Sequence, residues 1–145
     1  MSRYEIGINT VAAAAAAAYC ELRSPTKPVS VLEIGFFAQA ATASAVGIGR
    51  PAAIGVTPTS PITVLATKNG DQAGTAQTAS AWGTAPTVPA NFFRRVTTPA
   101  NIGAGGVFQW RVGDLTIPAG GSLVLWNFGG AAGSILSAYF AVDEI

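Results

Sequence analysis

The 145-residue chain contains no histidine, which removes the commonest general base, proton shuttle and metal ligand. A Ser-His-Asp arrangement is therefore impossible. The single cysteine, Cys20, sits among apolar neighbours, so neither an internal disulfide framework nor a cysteine-based zinc cluster can form. It reads as a small buried hydrophobe rather than a reactive thiol. Charge is scarce too: 10% of residues are Asp, Glu, Lys or Arg, where soluble chains average about 25%. The net charge is +1, and the six Arg and two Lys are scattered. That pattern carries no polyanion-binding signal, and nucleic-acid binding is not expected.

Long hydrophobic runs are also missing. The stretch "VAAAAAAAYC" (11–20) has ten residues before Glu21 and Arg23 stop it, and a spanning helix needs about 20. A leader peptide would place a short apolar stretch near this position. Against that, Glu5 balances Arg3 and alanine makes a feeble apolar region, so the segment is expected to remain on the mature chain. Half of the residues are nonetheless hydrophobic. With no membrane partner expected, that excess must be buried in protein, either in the chain's own core or against other chains. A chain of this length fits one domain, 1–145, whose core needs no disulfide or metal staple.

What remains is almost entirely strand and turn. Alanine is the best helix former, yet the flanks of the alanine run alternate with period 2: Tyr4, Ile6 and Ile8 before it, Tyr19 and Glu21 against Cys20 and Leu22 after it. An extended or bent segment is expected there. "VSVLEIGFFAQ" (29–39) is nearly continuous in β-branched and aromatic residues and reads as a core strand covered on both faces. Further strands are expected at 43–51, 62–67, 91–99 and 107–113, on both sides of "PAGG" (118–121), and to the C-terminus. "KNGD" (68–71) is a turn of the hairpin type. Residues 71–90 are rich in Thr, Ala, Ser, Gly and Pro, aperiodic, and carry Trp82. They are the expected long loop or arm. About nine short strands result, with no internal repeat, and the fold class is an all-β, single-domain sandwich.

Reactive constellations are absent from the sequence. Gly47 and Gly49 begin a G-x-G, but Ala52 stands where a third glycine would be needed, and glycines at strand ends and bends are the plainer reading. Asp143 and Glu144 are adjacent, so a strand would point them to opposite faces; a solvated chain end is expected. Glu33, inside a core-like strand, must have a partner, with Arg50 or Arg111 the candidates. No enzyme, cofactor or metal is expected. "NFFRRV" (91–96) combines the apolar anchors Phe92 and Phe93 with the cations Arg94 and Arg95, as interface hot spots do. Trp82, without an evident core role, would serve as an anchor in a neighbour's pocket.

Two stretches, "VSVLEIGFFAQAATASAVGIGRPAAIG" (29–55) and "LTIPAGGSLVLWNFGGAAGSILSAYFAVDEI" (115–145), resemble small jelly-roll-like decoration, or cement, proteins on the capsids of tailed bacteriophages. The resemblance implies a structural virion protein on the outside of an icosahedral shell, a homotrimer in contact with the major capsid protein, made in the host cytoplasm. It transfers no functional residues, because such proteins work through surfaces. The chain's own residues add that Ala14 and Ala16 would line a face buried around a three-fold axis. Residues 71–90 and Phe92–Arg95 would face the capsid. Two further readings are a receptor- or glycan-binding sandwich of a virion fibre, using Trp82, Trp110 and Trp126, and a shell-forming capsid subunit.

Overall fold

A computed structural model describes residues 2–144. Among them all regular structure is strand, and no helix occurs. Eight strands have five or more residues: β1 (Ser2–Asn9), β2 (Ala17–Ser24), β3 (Val29–Ala38), β4 (Ser44–Gly49), β10 (Arg94–Thr98), β11 (Gly105–Gln109), β13 (Gly121–Asn127) and β14 (Leu136–Glu144). Six are shorter: β5 (Val56–Pro58), β6 (Ile62–Thr63), β7 (Leu65–Ala66), β8 (Gln77–Ala79), β9 (Trp82–Thr84) and β12 (Thr116–Ile117). The chain is all-β, as its periodicity predicts. The pieces beyond the nine expected come mainly from 50–93, where proline and small residues interrupt the alternation.

Every pairing is antiparallel. One sheet runs β11-β3-β14-β1-β7, with β12 also on β3; the second runs β10-β4-β13-β2-β8-β6; β5 and β9 form a separate ribbon. A single cluster of buried side chains joins the two large sheets. It includes Ile6, Ile34, Phe36 and Phe140 from the first, and Leu22, Ile48, Leu123 and Leu125 from the second.

The two sheets differ in what covers their other faces. On β1, Tyr4, Ile6 and Ile8 are buried while Arg3, Glu5, Gly7 and Asn9 are exposed, the alternation of a sheet with one wet face. In β2 and β13 nearly every residue is buried. The cover over that second sheet is the segment between β4 and β10, residues 50–93. It is an insertion of 44 residues (93 − 50 + 1) that carries β5 to β9. Ala18, Val124 and Trp126 form a second buried cluster on the outer side of this sheet, with Trp82, Phe92 and Phe128 packed on it.

Several expectations change in this light. Residues 71–90 do not stand clear as an arm. Thr78 and Ala79 are buried, β8 pairs with β2, and β9 pairs with β5. The predicted strand at 62–67 splits at buried Val64. Its first half joins β8 in one sheet and its second half joins β1 in the other, so it straps the two sheets together. The Asn69-Gly70 turn forms, with Gly70 at φ +92°. It connects strands of different sheets rather than the arms of a tight hairpin. The alanine run is bent, as its flanks predict. It turns at Ala15 and Ala16, the latter at φ +54°, and enters β2 at Ala17. The Asn127 amide holds it by donating to the carbonyls of Ala13 and Ala14, both at 3.1 Å.

Gly47 and Gly49 serve this packing rather than a strand bend. A Cβ on Gly47 would lie 2.6 Å from the Phe92 ring, and one on Gly49 would lie 2.8 Å from both the Asn91 carbonyl oxygen and Pro89. The return limb of the insertion lies directly on β4. Overpacking a fitted core typically costs about 1–3 kcal/mol. Gly49→Ala, which meets backbone rather than a movable side-chain tip, is therefore expected to lower unfolding free energy by that amount in urea titration. An unchanged midpoint would contradict this packing.

Candidate functional site

Two polar arrangements stand out, one under the insertion and one on the open sheet. The first centres on Glu21, which has no solvent exposure. Its Oε1 accepts from Arg23 Nη1 (2.8 Å) and Trp82 Nε1 (3.2 Å), and its Oε2 from the Gly55 amide (3.0 Å) and the Ser122 hydroxyl (2.9 Å). Arg23 Nη1 also donates to the Gly55 carbonyl at 2.6 Å. The donors come from β2 itself, from β13 and from two points of the insertion. All four lone-pair directions of the carboxylate are used. The Glu21 carboxylate at the centre of this knot has no solvent exposure and its acceptor capacity is spent, so its role is to hold the insertion down. Alternation along β2 puts residues two apart on one face. The Glu21/Arg23 spacing was thus the available sequence signal for it.

The second arrangement is the outer face of the β11-β3-β14-β1 sheet. Strand register lays its side chains out in rows: Glu5, Ala141, Glu33 and Gln109 form one, and Gly7, Tyr139, Gly35 and Val107 the next. Glu33 accepts from Gln109 Nε2 (2.6 Å) and from the Tyr139 hydroxyl in a short hydrogen bond. Its partners are therefore neither Arg50 nor Arg111, and the β3 face that bears it is open, not covered. Arg50 instead donates to the Thr116 carbonyl (2.9 Å) and stacks on Phe93. Around this row lies an open depression of about 580 Å³ lined by Arg3, Glu5, Glu33, Gln109, Trp110 and Arg111, among others. The hydrogen bonds from Tyr139 and Gln109 hold the Glu33 carboxyl below its ordinary range, and the bond to Glu33 pushes the Tyr139 phenol up to about 12.

The other candidate residues fall in distinct places. Trp82 is half-buried and spent on Glu21, which contradicts its assignment as a free anchor. Phe92 lies over Gly47 and beside Phe128, with ring centroids 5.9 Å apart. Phe93 is exposed. Arg95 sits 4.1 Å from the Phe128 ring centroid, and Arg94 sits 5.4 Å from that of Trp110. Both arginines are thus exposed but pinned on aromatic faces. Ala14 and Ala16 are exposed in the turn before β2, a different loop from the aromatic group. Trp126 is buried and unavailable to any ligand. Cys20 is fully buried, as expected, and burial pushes its thiol pKa up. Asp143 and Glu144 are not a solvated end. Asp143 is buried beside Arg3 (3.3 Å), and Glu144 accepts from the amides of Thr75 (2.5 Å) and Ala76 (2.8 Å). The insertion covers Glu144 through Thr75 and Ala76, 68 or more residues away along the chain. Among the described residues no cluster of three or more His, Cys, Asp or Glu is placed to hold a metal ion.

Comparison with protein-family models finds none that matches the chain, and comparisons with curated proteins and solved structures find no match either.

Breaking a buried ion pair by removing one partner typically costs about 3–5 kcal/mol. Glu21→Ala is expected to destabilise the fold by that amount and to speed trypsin cleavage at Lys68, the only Lys or Arg between Arg50 and Arg94. Unchanged stability together with unchanged cleavage would remove the knot's assigned role. A second expectation concerns the open face. The Glu33 contribution to stability is present above its unfolded pKa and is lost as pH falls through the lower folded value. The Tyr139 contribution is present below pH of about 10 and is lost as pH rises through the folded value of about 12. Ultraviolet titration should show one phenol near 12, returned toward 10 by Glu33→Gln. A profile insensitive to that substitution would refute the pairing.

Proposed function

We propose that this chain is a structural virion protein that binds the outside of an icosahedral phage capsid and stabilises it as a cement or decoration protein. In this reading it acts as a homotrimer against the major capsid protein. The strand order supports the reading. Numbering the eight longer strands one to eight along the chain, the sheets run 6-3-8-1 and 5-4-7-2. We read that order as a double Greek-key jelly roll, an architecture shared by viral capsid and lectin domains. Fold alone does not assign function; the surface carries the distinction.

The observation that carries it is where the exposed apolar side chains lie. Of the twelve large hydrophobic residues that remain exposed among those described, six ride on the insertion: Ile54, Val56, Ile62, Leu65, Val88 and Phe93. The insertion is anchored through Glu21 and is therefore a fixed surface rather than a loose one. Leu65 flanks β1 at the edge of the open sheet, and the other five ride on the rest of the insertion; exposed apolar groups on a rigid layer offer anchors to a protein partner. Several modest contacts per trimer would then clamp neighbouring capsomers through avidity. The capsid-facing part is accordingly the insertion with Phe93, an extension of the 71–90 and Phe92–Arg95 assignment. Ala14 and Ala16 remain the proposed three-fold contact.

Two measurements test this. Mass spectrometry of purified virions should find the chain in many copies per particle; its absence would refute the virion assignment. Val56→Asp and Phe93→Asp should each weaken shell binding about ten-fold or more while leaving the melting temperature in place, because both side chains are already solvated in the free protein. Undiminished binding by both variants would move the docking face elsewhere.

A further inference from the structure

The open sheet has features that capsid docking does not use. The Tyr139 ring crosses Gly35 in close contact: a Cβ added to that glycine would fall 2.1 Å from the ring's Cε1. The ring is thus held against the Gly35 backbone and remains partly exposed. Three shallow depressions, of about 580, 340 and 420 Å³, meet at Tyr139. They follow β1 and β14 from Arg3 to Asn9, a run of about 20 Å at strand rise. One row beyond Tyr139 lies a second ring, Phe37, 37% exposed.

Each ring has its own set of fixed polar groups. Beside Tyr139 these are Glu33, Gln109 and, across Ala141, Glu5. Beside Phe37 the Gln39 amide donates to Asn9 Oδ1 (2.6 Å) and to the Ser137 hydroxyl (2.9 Å). Glu33 receives two hydrogen bonds and an ionised carboxylate can accept about four, so it keeps capacity for two more. Because its rotamer is already held, little side-chain freedom is lost when a ligand binds.

We propose that this face binds an extended neutral saccharide, with successive sugar rings stacked on Tyr139 and Phe37 and their hydroxyls engaged by the two polar sets. A sugar ring offers an apolar C–H face to an aromatic ring and hydroxyls that both donate and accept. The first depression is lined by two carboxylates, Glu5 and Glu33, and two guanidinium groups, Arg3 and Arg111. With the charges balanced, nothing there selects an anion. The exposed apolar side chains here, Leu65, Val112, Val107 and Phe37, are set apart along the face by the polar groups between them, which suits a ligand that alternates apolar and hydroxyl surfaces. The inference stands apart from the virion reading: its ring and hydrogen-bonding groups, Tyr139, Phe37, Glu33 and Gln39, all lie on the open sheet, and Leu65 to Thr67, which edge the second depression beside β1, are the insertion's only residues there.

The test is a glycan array carrying neutral and acidic oligosaccharides, probed with the full chain and with Tyr139→Ala, Phe37→Ala and Glu33→Gln, each checked by thermal melting. The wild type should bind neutral oligosaccharides of several rings. Titration with the best array ligand should show each variant weakened about ten-fold or more, the scale of one lost charge-assisted hydrogen bond or stacking contact. No glycan bound, acidic glycans alone bound, or full affinity in folded Tyr139→Ala would overturn the proposal. Should Tyr139→Ala fail to fold, Phe37→Ala decides by the same criterion. None of these outcomes bears on whether the chain is found in virions.

Discussion

A carboxylate with no access to water must have its charge met by protein groups, and Glu21 meets that requirement only when three segments come together. Arg23 supplies the countercharge, Ser122 comes from the neighbouring strand, and Gly55 and Trp82 come from the insertion. Were the insertion to lift, Glu21 would lose two of its four donors and gain water only by exposing Val124 and Trp126. Residues 50–93 therefore belong to the folded core in an energetic sense, although their composition is that of a loop. This explains how a segment so rich in Thr, Ala, Gly and Pro presents a fixed surface.

From that constraint follows the asymmetry of the molecule. The β10-β4-β13-β2 sheet is covered on both sides and accordingly accepts small residues, with Gly47 and Gly49 admitting the insertion's return limb. The β11-β3-β14-β1 sheet is covered on one side only and keeps polar alternation on the other. Half of the exposed large apolar side chains fall on the anchored insertion, while the charged and hydrogen-bonding groups Arg3, Glu5, Glu33 and Gln109 line the open sheet. The edge strand β10 links the two regions, with Arg95 stacked on Phe128 toward the covered sheet and Arg94 stacked over Trp110 toward the open one.

Much of the fold was legible because period-2 alternation is a local property. Tyr4, Ile6 and Ile8, the run at Val29–Phe37 and the Pro118–Gly121 turn each specify their own backbone. The bend in the alanine run was also readable, from its flanks rather than from the alanines. What escaped was everything decided by distant segments. Trp82 was taken for a free anchor because its acceptor lies 61 residues away in sequence. Asp143 and Glu144 have no local sign of burial, because Arg3, which pairs with Asp143, and Thr75 and Ala76, which bond Glu144, are all distant in sequence. Glu33 has the partner its strand position requires, but strand register makes that partner the uncharged Tyr139–Gln109 pair rather than an arginine. The open face could have been found from β1, whose Glu5, Gly7 and Asn9 already mark one side of that strand as wet.

The division of labour between the two faces is tested most directly by hydrogen exchange on the chain, free and bound to shells lacking it. The account predicts that binding slows exchange chiefly at the non-hydrogen-bonded amides of residues 50–93 and leaves β1, β3 and β14 as they were. Protection centred on those three strands, with the insertion unchanged, would contradict it.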